Sequence, residues 1–499
     1  MNMPTSIAPE AGHRFLEKQH RHLICGEWVE PASGRRFDVQ DPATGEIIAQ
    51  APDGDATDID RAVAAARKAH EMAAWRGLTS DARARILWRY AELLEAHADE
   101  LAWLEVRNNG MPLAFAQWAI GASAAWLRHY AGLTGNIIGQ NASGAVSGGG
   151  NSMHAYTVRQ PVGVAGLILP WNGPIGSFVI KVAPALAAGC CLVVKPAENT
   201  PLTALRLGEL ALEAGVPAGV LNIVNGPGTV VGAALADHPG VDKISFTGST
   251  EVGRRIVAAS AGNLKRVTLE LGGKSPCIIL DDADMDRAIP GAAMAIFANS
   301  GQVCFAGSRL FVQRRCFDKV VSGIADIIKA LKVGSGLDPD TAIGPLISAR
   351  QRERVQSYID NGRAQGAEIL AGGGVPDRGG YFLEPTLFAN VRADMRIVRE
   401  EIFGPVLVAT PFDTLDEVAR AANDTRYGLG AGIFTSNVNN AHRLADRIEA
   451  GNVWVNCYGV MHPTMPFGGF KESGWGREMG MEGMNAFLET KSVYVQLHA

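Results

Sequence analysis

The chain has no long apolar run, few cysteines and no concentrated positive charge, and each shortage removes a class of function. Its 499 residues hold 46 Lys and Arg against 51 Asp and Glu, a net charge of −5, with no basic block. Phosphate backbones need clustered positive charge, so a nucleic-acid surface is not expected. Seven cysteines do not make a disulfide framework. Only Cys190 and Cys191 adjoin, and neighbours in sequence rarely bridge, which points to a reducing compartment. The opening MNMPTSIAPEAGHRF lacks the basic flank and apolar core of a secretory signal. The longest apolar run, 182–194, is broken by Pro184 and Gly189 and is too short to span a bilayer. The expectation is a cytoplasmic protein with no membrane partner.

Several cofactor and metal signatures are missing too. No stretch fits GxGxxG, because GPGTVVG (226–232) and GWGREMG (474–480) are each one residue too long. LGGKS (271–275) lacks the first glycine of a phosphate loop, since Thr268 stands there. There is no HExxH and no paired CxxC, so no metal is implied. No repeat recurs at solenoid spacing.

What remains is an ordinary globular balance, 47% hydrophobic and 19% charged. At about 150 residues each, the length suggests roughly three domains. Residues 59–131 carry Leu87, Tyr90, Leu94 and Leu101 near helical spacing, which predicts two or three helices. GQNASGAVSGGGNS (139–152) is a turn-rich connector. From 161, the β-prone runs VGVAGLIL, CLVVK, VLNIV, DKISF and RVTLEL alternate with helix-like segments near 176–188, 200–214, 228–236 and 250–259. That alternation predicts a parallel sheet covered on both faces. Ligands bind beyond the carboxyl ends of such strands, which singles out 170–172, 195–198, 226–228, 247–249 and 271–273. A second alternation starts at SPCIIL (275–280) and runs to about 470, and SVYVQL (492–497) reads as a last strand.

Four stretches carry candidate chemistry. FTGSTEVG (246–253) follows a strand and opens a helix. Gly248 permits a tight turn there, Ser249 suits an N-cap, and free N–H groups at a helix start hold phosphates; the alternative is an ordinary capped turn. KPAE (195–198) brings Lys195 and Glu198 to the crevice. A carboxylate there accepts hydrogen bonds from ribose hydroxyls and repels a 2′-phosphate, unless the pair is a solvated loop. Glu270 in ELGGK (270–274) ends an apolar strand, where burial raises a carboxyl's pKa and suits it to a general base. Cys304 in FANSGQVCFAGS (297–308) is either a small core residue or a nucleophile among small polar neighbours.

Taken together, the chain resembles the NAD(P)-dependent aldehyde dehydrogenase superfamily. The resemblance is carried by PWN (170–172), KPAE (195–198), FTGST (246–250), LELGGK (269–274), FANSGQVC (297–304), EEIFGP (400–405) and PFGGFKESGWGRE (466–478), in the family's order and spacing from about residue 25 onward. It implies that Cys304 is the nucleophile, passing through a thiohemiacetal and a thioester. The Asn172 amide and the Cys304 N–H then hold the oxyanion, and Glu270 activates water. Lys181 and Glu478 belong to a polar path for protons. Glu401 and Phe403 contact the nicotinamide ribose and ring, Trp171 and Ser249 the pyrophosphate, and Lys195 and Glu198 the adenosine ribose. Gly228, Gly248 and Leu271 complete the cofactor site. Glu198 tilts the choice to NAD over NADP, although some relatives with this glutamate accept both.

The implied fold is α/β. A Rossmann-like NAD-binding domain (1–139 and 161–272) holds a five-stranded sheet, an α/β catalytic domain spans 273–473, and a small β oligomerisation element (140–160 and 474–499) joins subunits into a homodimer or homotetramer. Departures from the family pattern concern the substrate. Gly173, Ser177, Ile180 and Gly459 stand where relatives often carry larger side chains. With Val303, Phe305, Met461 and Phe467 they resemble the walls of the substrate channel. Smaller walls imply a bulky apolar aldehyde, aromatic or branched, unless Phe305, Met461 and Met465 refill the space. No Arg or Lys stands at these wall positions, which argues against charged semialdehydes. Two rival functions are a CoA-acylating enzyme, a branch that generally lacks the glutamate base, and a non-catalytic homologue.

Overall fold

The computed structural model describes residues 10–142, 147–148 and 151–497. The connector 139–152 therefore lies partly outside the described residues. Ahead of it the chain makes more helices than the spacing predicted: Ala56–Glu71, the four-residue Ala73–Arg76, Ser80–Ala96, Ala98–Asn109 and Leu113–Leu133. The breaks are local. Asp55 closes a capping box on the first helix, and Thr79 accepts from Ala82 N. His97, at φ −108 and ψ 21, interrupts helical geometry without any loop. An apolar period runs straight through a one-residue break, so pattern alone merges the two helices. Leu87, Tyr90, Leu94 and Leu101 are buried in one large core.

The first sheet has eight strands, in the order Gly474–Trp475, Arg266–Glu270, Lys243–Thr247, Val164–Ile168, Cys191–Lys195, Leu221–Ile223, His22–Ile24 and Glu27–Val29. The middle five are parallel and are the five β-prone runs of the sequence. Three antiparallel strands extend them. The N-terminal pair and the two-residue Gly474–Trp475 are too short to show a period, which is why the sheet is wider than expected. Strand order reverses at Val164–Ile168, with later strands added on one side and then the other. A crevice opens at such a switch point, and the segments that follow Ile168 and Thr247 border it. The Pro174–Ala188 helix covers one face, buried along most of its length.

The second sheet runs Glu368–Ala371, Thr386–Ala389, Val406–Phe412, Arg309–Gln313, Pro276–Ile279, Gly430–Phe434 and Asn452–Val455. All its pairs are parallel except the first. A third sheet pairs Leu488–Leu497 antiparallel with Asn151–Pro161 over ten residues. Among the described residues, no helix is long and apolar enough to cross a membrane.

Candidate active site

The helix Met285–Phe297 delivers the chain into the turn Ala298–Gly301. Asn299 (φ 48), Ser300 (φ 56) and Gly301 (φ 70) are consecutive left-handed residues. For a residue with a Cβ that conformation costs about 1–2 kcal/mol, so the surroundings must hold it. Ser300 Oγ donates to Gly344 O at 2.8 Å and Gln302 Oε1 accepts from Ile347 N at 2.9 Å. A Cβ at Gly301 would sit 2.2 Å from Gly404 O, and one at Gly273 would sit 2.4 Å from Cys304 O. Backbone is thus packed against backbone on two sides of the turn, and Cys304 emerges from it half-buried.

The first sheet reaches the same turn through Asn172. Asn172 Nδ2 donates to Gln302 O at 2.9 Å, and Asn299 Nδ2 donates back to Asn172 O at 2.8 Å. From behind, Asn109 Nδ2 donates to Trp171 O at 2.7 Å. The segment after Ile168 and the turn before Cys304 are stitched in both directions.

Glu270, at the carboxyl end of its strand, is 2% exposed, and neither of its carboxyl oxygens has a partner. A Cβ at Gly468 would sit 2.8 Å from Glu270 Oε1. Burial, reinforced by the charge of Glu478, holds the Glu270 carboxyl well above the ordinary range. Burial also pushes the Cys304 thiol up. Glu270 and Glu401 add to that rise, while the N–H groups of Phe305 and Cys304 oppose it. Glu401 Oε1 accepts from Gly273 N at 3.0 Å, and burial pushes its carboxyl up to about 7. A side chain at Gly272 would collide with Glu401 at 2.2 Å.

Lys181 and Glu478, distant in sequence, form a buried ion pair. The cofactor candidates gather at the strand ends. Lys195 Nζ lies 3.0 Å from Glu198 Oε2, and a Cβ at Gly228 would meet both groups near 4 Å, at 3.9 and 4.0 Å. Despite the cost of burial, Lys195 and the backbone N–H of Gly228 keep Glu198's carboxyl below its usual value. Ser249 caps the helix Thr250–Ser260 by accepting from Val252 N at 3.3 Å. Gly248 has no positive φ. It is glycine because a Cβ would sit 2.5 Å from the Phe246 ring, so crowding, and not turn conformation, accounts for it. The Trp171 and Phe403 rings meet edge-on at 5.1 Å, and Leu271 N donates to Ser473 O.

The channel candidates divide. A Cβ at Gly173 would meet only Ser177 Oγ, at 4.0 Å, so that wall is open. Gly459 has φ +70, and its Cβ would lie 3.2 Å from the Phe305 ring. The backbone conformation by itself favours glycine there, so its small size is no sign of a widened wall. Phe305 packs on Trp454 and Phe467 at 5.5 and 5.8 Å. Val303, Ile180 and Met461 are partly buried against the cores, whereas Met465 is 63% exposed.

Sequence reasoning missed Asn299, Gln302, Asn109 and Ser245. Asn299 and Gln302 stand inside the quoted cysteine motif, and two amides within five residues of a nucleophile are the signal that was there to read. Ser245 had only its place in the strand alternation to mark it.

A doubly wound sheet of this topology binds dinucleotides in its crevice, and the thiol of Cys304 lies close enough to the unpartnered carboxyl of Glu270 for their charges to act on each other. The chain belongs to the aldehyde dehydrogenase family, whose sequence profile matches residues 28–493. It is 48% identical over 484 residues to a phenylacetaldehyde dehydrogenase of Pseudomonas fluorescens, 96% of each chain. It is 45% identical to aldehyde dehydrogenase 1 of Tanacetum cinerariifolium, over 95% of each chain. The NAD+ complex of an aldehyde dehydrogenase from Bacillus cereus superposes with a TM-score of 0.96 at 44% identity, covering 100% of both chains. The expected family and α/β fold therefore hold.

Proposed function

We propose that the protein oxidises an aldehyde to its carboxylic acid with NAD, through an acyl group carried on Cys304. The observation that carries this reading is a buried carboxyl with nothing to bond. Both Glu270 oxygens lack partners, and an unsatisfied buried group in a native fold calls for a ligand or water to complete it. As Cys304 Sγ bonds to the aldehyde carbon, the thiol proton passes to Glu270 and the C=O electron pair moves to oxygen. Asn172 Nδ2 has two N–H groups and spends one on Gln302 O. The second, with the Cys304 N–H, holds the oxyanion. When bound, NAD supplies the hydride acceptor that converts the adduct to a thioester. Glu270, once it has released the thiol proton toward solvent, takes a proton from water as the water oxygen bonds to the acyl carbon. The C–S bond breaks, Glu270 passes that proton to the sulfur and the acid leaves.

The strand-end groups fit that cofactor. Glu198 accepts from ribose hydroxyls and repels a 2′-phosphate, so NAD is favoured over NADP. The Ser249 helix start suits a pyrophosphate, and Glu401, fixed by Gly273 N–H, suits the second ribose. The substrate is a bulky apolar aldehyde, aromatic or branched. Support comes from the open wall at Gly173 beside Ser177, and a relative named for phenylacetaldehyde accords with it. Seven free thiols suit the reducing cytoplasm. Leu488–Leu497 is the edge strand of its sheet, with Tyr494 and Val495 exposed. A second copy would cover that edge in a homodimer or homotetramer.

Cys304→Ala should abolish NADH production while NAD binding, read by tryptophan fluorescence, persists. Retained oxidation in that variant would refute the mechanism. Dependence on added CoA would favour the CoA-acylating reading, against which Glu270 stands.

A further inference from the structure

We infer that Ser245 is a positioning residue for the acyl-release half of the reaction, an inference that rests on the function proposed above. Ser245 lies in the middle of Lys243–Thr247 and is 1% exposed. Its hydroxyl accepts from Lys181 Nζ at 2.9 Å and donates to Glu478 Oε1 at 2.8 Å. Lys181 also bonds the same Glu478 oxygen directly. One carboxylate oxygen is therefore held by two donors, and Oε2 is left over.

Strand geometry aims this cluster at the base. Side chains alternate along a strand, and parallel partners face the same side. Ser245 pairs with Thr268, and Thr247 pairs with Glu270. Lys243, Ser245, Thr268 and Glu270 thus share one face, and Lys243 Nζ donates to Thr268 Oγ1 at 2.6 Å. Glu478 is close enough for its charge to act on Glu270.

The chemistry needs such an arrangement. Glu270 takes the thiol proton in each turnover and must lose it before it can act as base toward water, whose own proton goes back to the sulfur. Because neither Glu270 oxygen has a protein partner, the proton crosses by way of water to the free oxygen of the Glu478 carboxylate, and then to solvent over the 11% of that side chain that is exposed. Ser245 decides which oxygen is offered. Without its hydroxyl, Lys181 loses a buried acceptor and Glu478 can turn about its one remaining donor.

The test uses the full-length protein with NAD and a saturating aromatic aldehyde, comparing the stopped-flow NADH burst with steady-state turnover. Ser245→Ala should keep the burst rate and the KM for NAD within about twofold. Its kcat should fall about tenfold, the scale of one lost hydrogen bond to a charged group. Ser245→Thr keeps the hydroxyl and should recover most of that loss. Should the alanine variant not fold, Ser245→Cys, a near-isostere with a weak donor, is measured the same way. Wild-type kcat in the alanine or cysteine variant overturns the inference. So does a burst that falls in proportion to kcat, or a threonine variant no better than alanine. A wild-type protein that makes no NADH overturns the parent reading and this inference with it, which separates the two failures.

Discussion

Replacing Asn172 with alanine isolates the donor half of the site. Removing one donor aimed at a developing oxyanion costs about 10²–10³ in kcat, roughly 2.7–4 kcal/mol. The same change deletes the 2.9 Å bond to Gln302 O, a neutral hydrogen bond worth about 1 kcal/mol of stability. The turn is not released, because Asn299 Nδ2 still donates to the backbone carbonyl of residue 172. Most of the loss should therefore fall on chemistry and little on folding. The assay is a stopped-flow NADH trace with saturating NAD and aldehyde, beside a thermal melt. The expected result is a burst slowed by two to three orders of magnitude, unchanged NAD affinity and a modest drop in Tm. A burst within tenfold of wild type would refute the oxyanion role, as would a loss confined to the steady state.

The remaining predictions concern the base and the channel. Glu270→Gln should slow the steady-state rate more than the NADH burst, and the rise of turnover with pH through the Glu270 titration should vanish from its pH profile. Because burial raises the folded-state pKa of Glu270, the folded protein binds more protons than the unfolded chain above the ordinary carboxyl range. Stability falls as pH rises through that window, so the glutamine variant should melt higher than wild type at pH 8 and about equally at pH 4. Gly173→Phe should cut kcat/KM for benzaldehyde-sized substrates while sparing acetaldehyde, since a Cβ there meets only Ser177 Oγ; equal losses for both would argue against an open wall. Gly459→Ala, at φ +70 and close to Phe305, should lower Tm and do little for specificity.

The sequence was most legible where chemistry is local. Strand ends were read from β-prone runs, so Lys195, Ser249 and Glu270 could be placed beside the crevice from pattern and topology rules alone. Less legible were features that depend on distant chain. His97 splits two helices without leaving a loop, and Gly474–Trp475 joins the first sheet as a two-residue strand. Gly248 is explained by the ring of Phe246, and Gly459 by its own backbone angle. Ser245 reads as one polar residue in an apolar strand until Lys181 and Glu478 arrive from 64 residues before and 233 residues after it.

The stitching between residue 172 and residues 299–302 limits how this enzyme can move. A reactive residue on a free loop could swing away to admit a ligand, but here the turn before Cys304 is left-handed for three residues, pinned to Gly344 and Ile347, and tied to residue 172 in both directions. Sulfur and amide must travel together or not at all. The parts of the reaction that need motion, the admission of an aldehyde and the turnover of cofactor, are then left to residues outside this turn. The centre is built to stay still while its surroundings change.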